Sequence, residues 1–292
     1  MLEIKNVSKS LGKEKVLENI NLTLQKGEVF GLLGRNGSGK TTLLRIIQQI
    51  LLPDEGDVLF NNEPIRSHPK CKEKILYVPV RNTFFEPFTS KQLVSMMKGI
   101  YPTFDVTYAN ELMNRYRLPE NKSYQELSTG LKKQVSLILA FASRPDVILM
   151  DEPTDGIDAV TRYDILQLMM EEVAQRETSI FITSHRLEDI ERICNRIGFL
   201  DNHCLSQVMD VDEMNKEFVK IQVAYEDDVS LRIREKEITI LEHAGVFYTI
   251  LLKKADEEKK AFLKSLSPRV WNELPVNLEE IFLAKFGGKR RW

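Results

Sequence analysis

The chain of 292 residues is poor in cysteine, in net charge and in long apolar runs, and each shortage closes off a class of protein. Its three cysteines, Cys71, Cys194 and Cys204, are odd in number, widely scattered and without a C-x-x-C pair. That argues against a disulfide framework and a zinc site, and it suits reduced thiols. His203 beside Cys204 is the nearest approach to a metal pair, and no further ligand stands at metal-site spacing. A net charge of −2 gives no electrostatic case for nucleic acid or an anionic membrane surface. The longest clean apolar stretches, such as 137–142, are too short to span a bilayer. Met1-Leu2-Glu3-Ile4-Lys5 carries charge where a secretion signal needs an apolar run. Work at a membrane would therefore require a partner. Apolar residues at 42% and charged residues at 29% are ordinary for a globular protein.

What is present is a glycine-rich loop. Gly34-Arg35-Asn36-Gly37-Ser38-Gly39-Lys40-Thr41-Thr42 follows 29–33, which reads as a buried strand, and leads into 42–50, which reads as a helix. Strand, loop and helix in that order are the context of a phosphate-binding P-loop. The glycines let successive N–H groups turn toward one anion, and the helix N-terminus adds positive charge at the same point. Lys40 would reach the β- and γ-phosphates of a nucleotide, and the Thr41 hydroxyl would ligate Mg²⁺.

Further along, Val147-Ile148-Leu149-Met150 ends in Asp151-Glu152. Acids at the carboxyl end of a parallel strand face the ligand crevice. Asp151 would hold Mg²⁺ through water, and Glu152 would orient or deprotonate the attacking water. A solvated strand end explains the same pattern taken alone; its position behind a P-loop gives it weight. Leu127-Ser128-Thr129-Gly130 stands at a helix start, as a second anion site or a plain N-cap.

Short alternating runs over 2–35 predict strands, Pro53-Asp54-Glu55-Gly56 breaks the pattern, and Asp57–Phe60 with Asn61-Asn62 predicts a hairpin. A strand follows at 75–79. From 90 to 126 the spacing turns helical (Leu93, Met96, Met97, then Leu112, Met113, Tyr116), which predicts a helical subdomain over about 88–143. Helices over 132–143, 161–175 and 187–194 alternate with strands over 147–150 and 179–183. That pattern predicts an α/β domain with a mixed, mostly parallel sheet over 1–204. Strands at 218–226, 237–243 and 246–253, with helices at 255–266 and 278–286, predict a small α+β domain over 205–292. It ends in a basic tail, Lys289-Arg290-Arg291-Trp292, read as a solvated terminus.

The order of motifs over 1–204 resembles the ATP-binding subunit of an ABC transporter. P-loop, helical insert, LSxG-type signature, paired acids, the loop Asp155-Gly156-Ile157-Asp158 and an isolated histidine in Thr183-Ser184-His185 follow one another as in that family. The resemblance implies a P-loop NTPase fold and an ATPase that uses ATP and Mg²⁺. It implies two cassettes facing head to tail, as a homodimer in preference to a heterodimer. It puts adenine against Leu11 and Val16, and the phosphates on Gly34, Asn36, Gly37, Ser38, Gly39, Lys40, Thr41 and Thr42. Ser128 and Gly130 would touch the γ-phosphate of the opposite site, and Asp158 would bridge to that site. His185 would touch the γ-phosphate and the attacking water in its own site, so that Glu152, His185 and Lys40 carry catalysis. Tyr101–Asp105 in a short insert, and a C-terminal unit with Leu278-Glu279-Glu280-Ile281-Phe282, are similar to exporters of the ABC-2 type. Those include ATPases of bacitracin-like and toxin-peptide export, and the likeness extends to ATPase subunits of staphylococcal phenol-soluble-modulin exporters. A separate ABC-2 type transmembrane subunit, a peripheral place at the cytoplasmic face of the membrane, and a peptide or lipophilic antimicrobial cargo follow from the resemblance. The alternatives are an ATP-binding switch with little hydrolysis, or a soluble ABC ATPase acting on ribosomes or DNA. The second usually carries tandem cassettes, coiled-coil inserts or zinc modules, none of which is visible here.

The chain departs from that family at several positions. Leu11 stands where an aromatic residue usually stacks on adenine, and leucine lacks the π system. Val80 stands where a glutamine usually touches Mg²⁺ and water, with Arg81 and Asn82 as possible stand-ins. Thr129 and Leu131 replace a glycine and a glutamine of the signature. With Glu152 and His185 both present, the expectation is an active but slower or differently coupled ATPase. Phe84-Phe85-Glu86-Pro87-Phe88 is either core packing of the insert or a groove for a cytoplasmic helix of the membrane partner.

Overall fold

Alternation of apolar and polar residues builds the first sheet. In a computed structural model that describes residues 1–206 and 208–281, β1 (Leu2–Leu11) and β2 (Glu14–Leu24) pair antiparallel, with Leu2, Ile4, Val7, Leu17, Ile20, Leu22 and Leu24 buried. β3 (Val29–Leu33) is buried at every position, as a strand covered on both faces must be. It leads to α1 (Lys40–Ile47), which ends three residues before the expected 50 because Gln49 takes a left-handed turn at φ 59. β4 (Glu55–Phe60) pairs with the other side of β1, and β5 (Glu63–Pro64) closes the predicted hairpin. Its turn residues Asn61 and Asn62 have φ 51 and 68, the left-handed pair of a type I′ turn. The stretch 53–56, expected as a break, already belongs to β4 from Glu55 onward. Gly56 sits at a register shift with φ +79, where a Cβ would lie 2.3 Å from the Lys5 carbonyl.

β6 (Ile75–Val78) precedes the helical insert. Its helices α2 (Ser90–Ile100) and α3 (Val106–Arg115) are capped by Thr89 in a capping box with Gln92 and by Asp105. α4 (Thr129–Ala142) starts three residues earlier than expected, since the Ser128 hydroxyl accepts the Leu131 N–H and opens the helix there. β7 (Val147–Asp151), α5 (Ala159–Arg176), β8 (Ser179–Ser184) and α6 (Leu187–Ile193) follow. β9 (Arg196–Asp201), a strand missed in the sequence, and the short β10 (Cys204–Leu205) end the element order of this unit. The strands lie in the order β10-β9-β3-β8-β7-β6, parallel except for β10 against β9. The mostly parallel sheet, with the glycine-rich loop after β3 and the acid pair at the end of β7, is the α/β arrangement expected. Its core joins α1 (Leu43, Leu44, Ile46, Ile47) to the inner face of the first sheet and to Phe30, Leu149 and Phe181.

The chain divides into compact units over 1–208 and 209–292. The second contains β11 (Met209–Asp210), α7 (Val211–Glu217), β12 (Phe218–Ala224), α8 (Ser230–Glu235), β13 (Thr239–Ala244), β14 (Phe247–Lys253), α9 (Glu257–Ser265) and β15 (Val270–Leu274). Its antiparallel sheet, in the order β13-β14-β12-β15, has a core of Ile221, Ile233, Tyr248, Ile250 and Leu263. α7, α8 and β15 were not expected from the sequence. The expected helix over 278–286 lies beyond 281 outside the described residues, as does the basic tail 289–292.

Candidate functional site

The glycine-rich loop is fixed by close approach. A side chain at Gly34 would meet Ser38 Oγ at 2.6 Å and the Leu200 carbonyl at 2.7 Å. At Gly39, φ is +107 and a Cβ would lie 3.0 Å from the Val16 carbonyl. Gly39 is the N-cap of α1, so Lys40 and Thr41 stand in its first turn. Over the loop opens a cavity of about 540 Å³ whose lining runs from Arg35 to Thr42. Leu11 and Val16 border it, as do Asp151, Glu152 and His185. Leu11, at the β1–β2 turn, is 48% exposed. Lys40 is only 6% exposed. Its Nζ donates to the carbonyls of Gly34 (2.7 Å) and Arg35 (3.2 Å), and Glu152 Oε1 is 3.3 Å away. The ammonium's three donors thus face three oxygens, the surroundings a buried cation needs.

Strand register assembles the acid pair. Asp151 on β7 lies opposite Thr183 on β8. The Thr41 hydroxyl donates to Asp151 Oδ2 (2.7 Å), the Thr183 hydroxyl to Oδ1 (2.8 Å) and the Tyr77 hydroxyl to Oδ2 (3.2 Å). The carboxylate is 1% exposed and held by these hydroxyls. Burial, with the Asp151 charge behind it, pushes the Tyr77 phenol up to about 12, so it remains a donor at neutral pH. Thr41 Oγ1 and Asp151 Oδ2 stand side by side at the strand end, hard oxygens of the kind that Mg²⁺ takes as ligands. Among the described residues no group of three or more His, Cys, Asp or Glu could hold a metal unaided. Such a pair fits an ion that takes its remaining ligands from water and phosphate.

Glu152 takes a left-handed backbone at φ 48, which is uncommon for a side chain of this size. Its N–H donates to the Thr183 carbonyl (3.2 Å) and hydroxyl (3.1 Å). Its Oε2 accepts the His185 N–H (3.2 Å) and lies 2.9 Å from His185 Nδ1. Its Oε1 is buried without a hydrogen bond, as is Ser38 Oγ. Buried polar atoms left open beside a cation mark where a ligand completes the site.

Ser128, Gly130 and Asp158 are not among the residues lining this cavity. They gather at the N-termini of α4 and α5. The Asp158 carboxylate accepts the N–H groups of Val160 and Thr161 and the Thr161 hydroxyl. A Cβ on Gly130 would lie 3.1 Å from Thr161 Cγ2. Within one chain, then, Asp158 is a helix cap, and the phosphate-loop half and the signature half are separate surfaces. Val80, 39% exposed, borders both the loop cavity and a second cleft of about 440 Å³. Arg81 and Asn82 line that second cleft and not the first. The two readings of the phenylalanine run divide: Phe85 packs edge-on against the buried Tyr124 at 5.6 Å, and Phe84 is 64% exposed. Sequence reasoning missed Tyr77 and Lys133, and it named Asp155 and Thr183 inside motifs without giving either a role. The Lys133 Nζ donates to the carbonyls of Glu152 (2.7 Å) and Asp155 (2.5 Å). Burial lowers its proton affinity, and the charges of Asp155, Glu152 and Asp151 oppose that. Tyr77 and Lys133 carry no local signal of their contacts; only strand register and helix packing bring them in.

A model of the ABC transporter family matches residues 17–155. The ABC transporter ATP-binding protein YtrB of Bacillus subtilis (strain 168) is 64% identical over 292 residues, the full length of both chains. The bacitracin transport ATP-binding protein BcrA of Enterococcus faecalis is 26% identical over 99% of this chain and 97% of its own. Among solved structures, a dimeric ATP-binding cassette in a post-hydrolysis state with ADP and Pi is 25% identical. It covers 72% of this chain and 99% of its own, with a TM-score of 0.64.

Proposed function

The chain belongs to the ABC transporter ATP-binding proteins, and from that premise we propose that it powers export through a separate ABC-2 type membrane subunit. As a member of that family it binds ATP and is an ATPase. The observation that carries the catalytic reading is the Glu152 carboxylate. One oxygen is held by His185, and the other, buried and without a hydrogen bond, stands 3.3 Å from Lys40.

In this reading the triphosphate lies along Gly34 to Thr42, and Lys40 trades its loop carbonyls for phosphate oxygens. Thr41 and Asp151 would hold Mg²⁺, which when bound neutralises charge on the β- and γ-phosphates. Glu152 orients the attacking water and accepts its proton as the γ-phosphoryl group passes to that oxygen, with ADP leaving. His185 steadies the carboxylate and the γ-phosphate. Leu11 and Val16 flank the adenine. Ser128 and Gly130 of a second copy close the site, with Asp158 at the junction. The separation of these residues from the loop cavity within one chain supports a site shared between two copies. Such a site is complete only on closure, which couples hydrolysis to motion.

Among the described residues no helix is long and apolar enough to cross a membrane. In this reading the protein is held at the cytoplasmic face by its membrane subunit, and nucleic acid is not a partner. Exposed Phe84 beside the second cleft suits contact with that subunit. Alignment with the bacitracin transport protein through the C-terminal unit supports export of peptides or lipophilic antimicrobial compounds. Val80 at the cavity favours one second reading, a switch that closes on ATP with little turnover.

The test is Mg-ATP turnover of the wild-type chain and of Glu152→Gln, with light scattering of the variant. Turnover that the substitution removes, and a variant that dimerises on ATP, fit the proposal. Wild-type turnover near zero with dimerisation intact fits the switch. Recovery of a multispanning protein with the chain from mild-detergent extracts of its own membranes tests the partner; ribosomal or DNA-associated proteins in its place would overturn it.

A further inference from the structure

Lys133 has no part in the reading above, yet it is built into the support behind Glu152. The glutamate's left-handed backbone must be held by its neighbours, because such a conformation persists only where the surroundings over-determine it. On its N–H side the holder is Thr183, through carbonyl and hydroxyl. On its carbonyl side the short bond, 2.7 Å, comes from Lys133 Nζ. The other bond to that carbonyl, from the Asp155 N–H, is long at 3.3 Å. The same ammonium donates to the Asp155 carbonyl at 2.5 Å, so one cation ties both ends of the turn Glu152–Asp155.

Lys133 does this from a different element. It lies in the second turn of α4, the helix that Ser128 caps and Thr129 begins. The helix buries Val135 and the whole run 137–142, which fixes the lysine's root. Its stem borders the cleft that also contains Val80 and Asp155. A lysine suits this place because it offers donors only, on a stem long enough to reach carbonyls across the gap.

Resting on the hydrolysis reading of Glu152, we propose that Lys133 is a positioning residue that makes the placement of the Glu152 carboxylate follow the placement of α4. A contact at the N-terminal end of α4, such as the nucleotide of a second copy, is then passed to Glu152 through one side chain. The glutamate is aimed when the helix is seated and released when it shifts.

The experiment uses the full chain with Lys133→Met, Lys133→Gln and Lys133→Arg. The first readout needs no nucleotide. Amide hydrogen exchange of a peptide covering 151–157 should rise about 10-fold in Lys133→Met, because the turn loses its cross-tie. The second is steady-state Mg-ATP turnover. In Lys133→Met, kcat should fall about 10- to 50-fold with KM changed less than about threefold, and Lys133→Arg should recover at least about a third of the wild-type kcat. Lys133→Gln keeps an uncharged amide donor group and serves if the methionine variant does not fold, as judged by far-UV circular dichroism; it should lie between the other two. Unchanged exchange over 151–157 would overturn the proposal, as would kcat within twofold of wild type in a folded Lys133→Met or Lys133→Gln. So would an arginine variant no better than methionine. If the wild-type chain turned over no ATP, or turned it over equally with Glu152→Gln, the hydrolysis reading would fall instead. The exchange measurement would still decide whether Lys133 holds the turn.

Discussion

The two units treat buried polar groups in opposite ways. In residues 1–208 charged side chains are buried repeatedly: Glu28, Lys40, Asp151, Glu172 and Asp189 are all inside. In 209–281, among the described residues, Thr249 is the only polar or charged side chain that is buried. Burying charge is costly unless it is paired, so the first unit carries partners for each. Glu28 pairs with Arg196 at 2.9 Å, and Asp189 accepts the Thr154 hydroxyl at 2.7 Å. Glu172 accepts the Tyr108 hydroxyl with Arg144 nearby. At the cavity the pairing is incomplete: Ser38 Oγ and Glu152 Oε1 have no hydrogen bond. Buried atoms without a hydrogen bond also occur at Gln48, Tyr116, Arg144 and Arg186, so it is their place on the cavity lining that offers Ser38 and Glu152 to a ligand. The second unit's described core is almost wholly apolar.

The sharpest way to test the contrast is at Glu152. Glu152→Gln keeps the shape and removes the charged acceptor. Turnover should drop about 10³-fold while ATP affinity stays within about threefold. Single-turnover hydrolysis and equilibrium binding measure the two separately, and wild-type turnover in the variant would remove Glu152 from the chemistry. Next is Lys40→Ala. A charge-assisted bond to phosphate is lost, and nucleotide affinity should fall about 10- to 100-fold by titration. An unchanged affinity would mean that the loop holds no phosphate.

Ile250→Val probes the other unit. It should cost about 1 kcal/mol in denaturant unfolding and leave kcat and ATP affinity unaltered. A change in kcat would break the contrast by tying the second unit to the cavity. The smallest effect belongs to Asp228. Its carboxylate accepts the Tyr248 hydroxyl at 2.6 Å and the Ser230 N–H at 2.8 Å, and these bonds hold it well below the usual carboxylate range. A depressed folded value means that its contribution is present above the unfolded value, about pH 4, and is lost as pH falls through the folded value. Asp228→Asn should therefore lower stability modestly at neutral pH and flatten the acid side of the profile below about pH 4, so that the two proteins converge in acid. Acid-unfolding curves of the two proteins would show this, and identical curves would deny Asp228 the role.

Legibility followed the range of the forces involved. The strand, loop and helix around Lys40, the Asn61-Asn62 turn, the capping of α4 by Ser128 and the acid pair Asp151-Glu152 are local consequences of backbone conformation and side-chain type. A reader of residues a few positions apart finds them. β9 escaped notice because its short apolar run, 197–200, is interrupted by Gly198 and follows α6 after only two residues. The second unit's α8 was missed because Ser230–Glu235 has too few turns to show a period.

By itself the sequence determined that a phosphate loop precedes an acidic strand end and a lone histidine, and that a family of ATP-binding subunits shares this order. Only the tertiary structure decided which side chains support those groups. Register across β6, β7 and β8 brings Tyr77 and Thr183 to Asp151. Packing of α4 sends Lys133 to the carbonyls of Glu152 and Asp155. Ser128, Gly130 and Asp158 stand outside the cavity that Lys40 lines, and Phe85 packs against the buried Tyr124 while Phe84 is exposed. The physical reason is that backbone propensity and capping act over a few neighbouring residues. Hydrogen-bond register and close packing instead join residues far apart in the chain, and no local pattern records those choices.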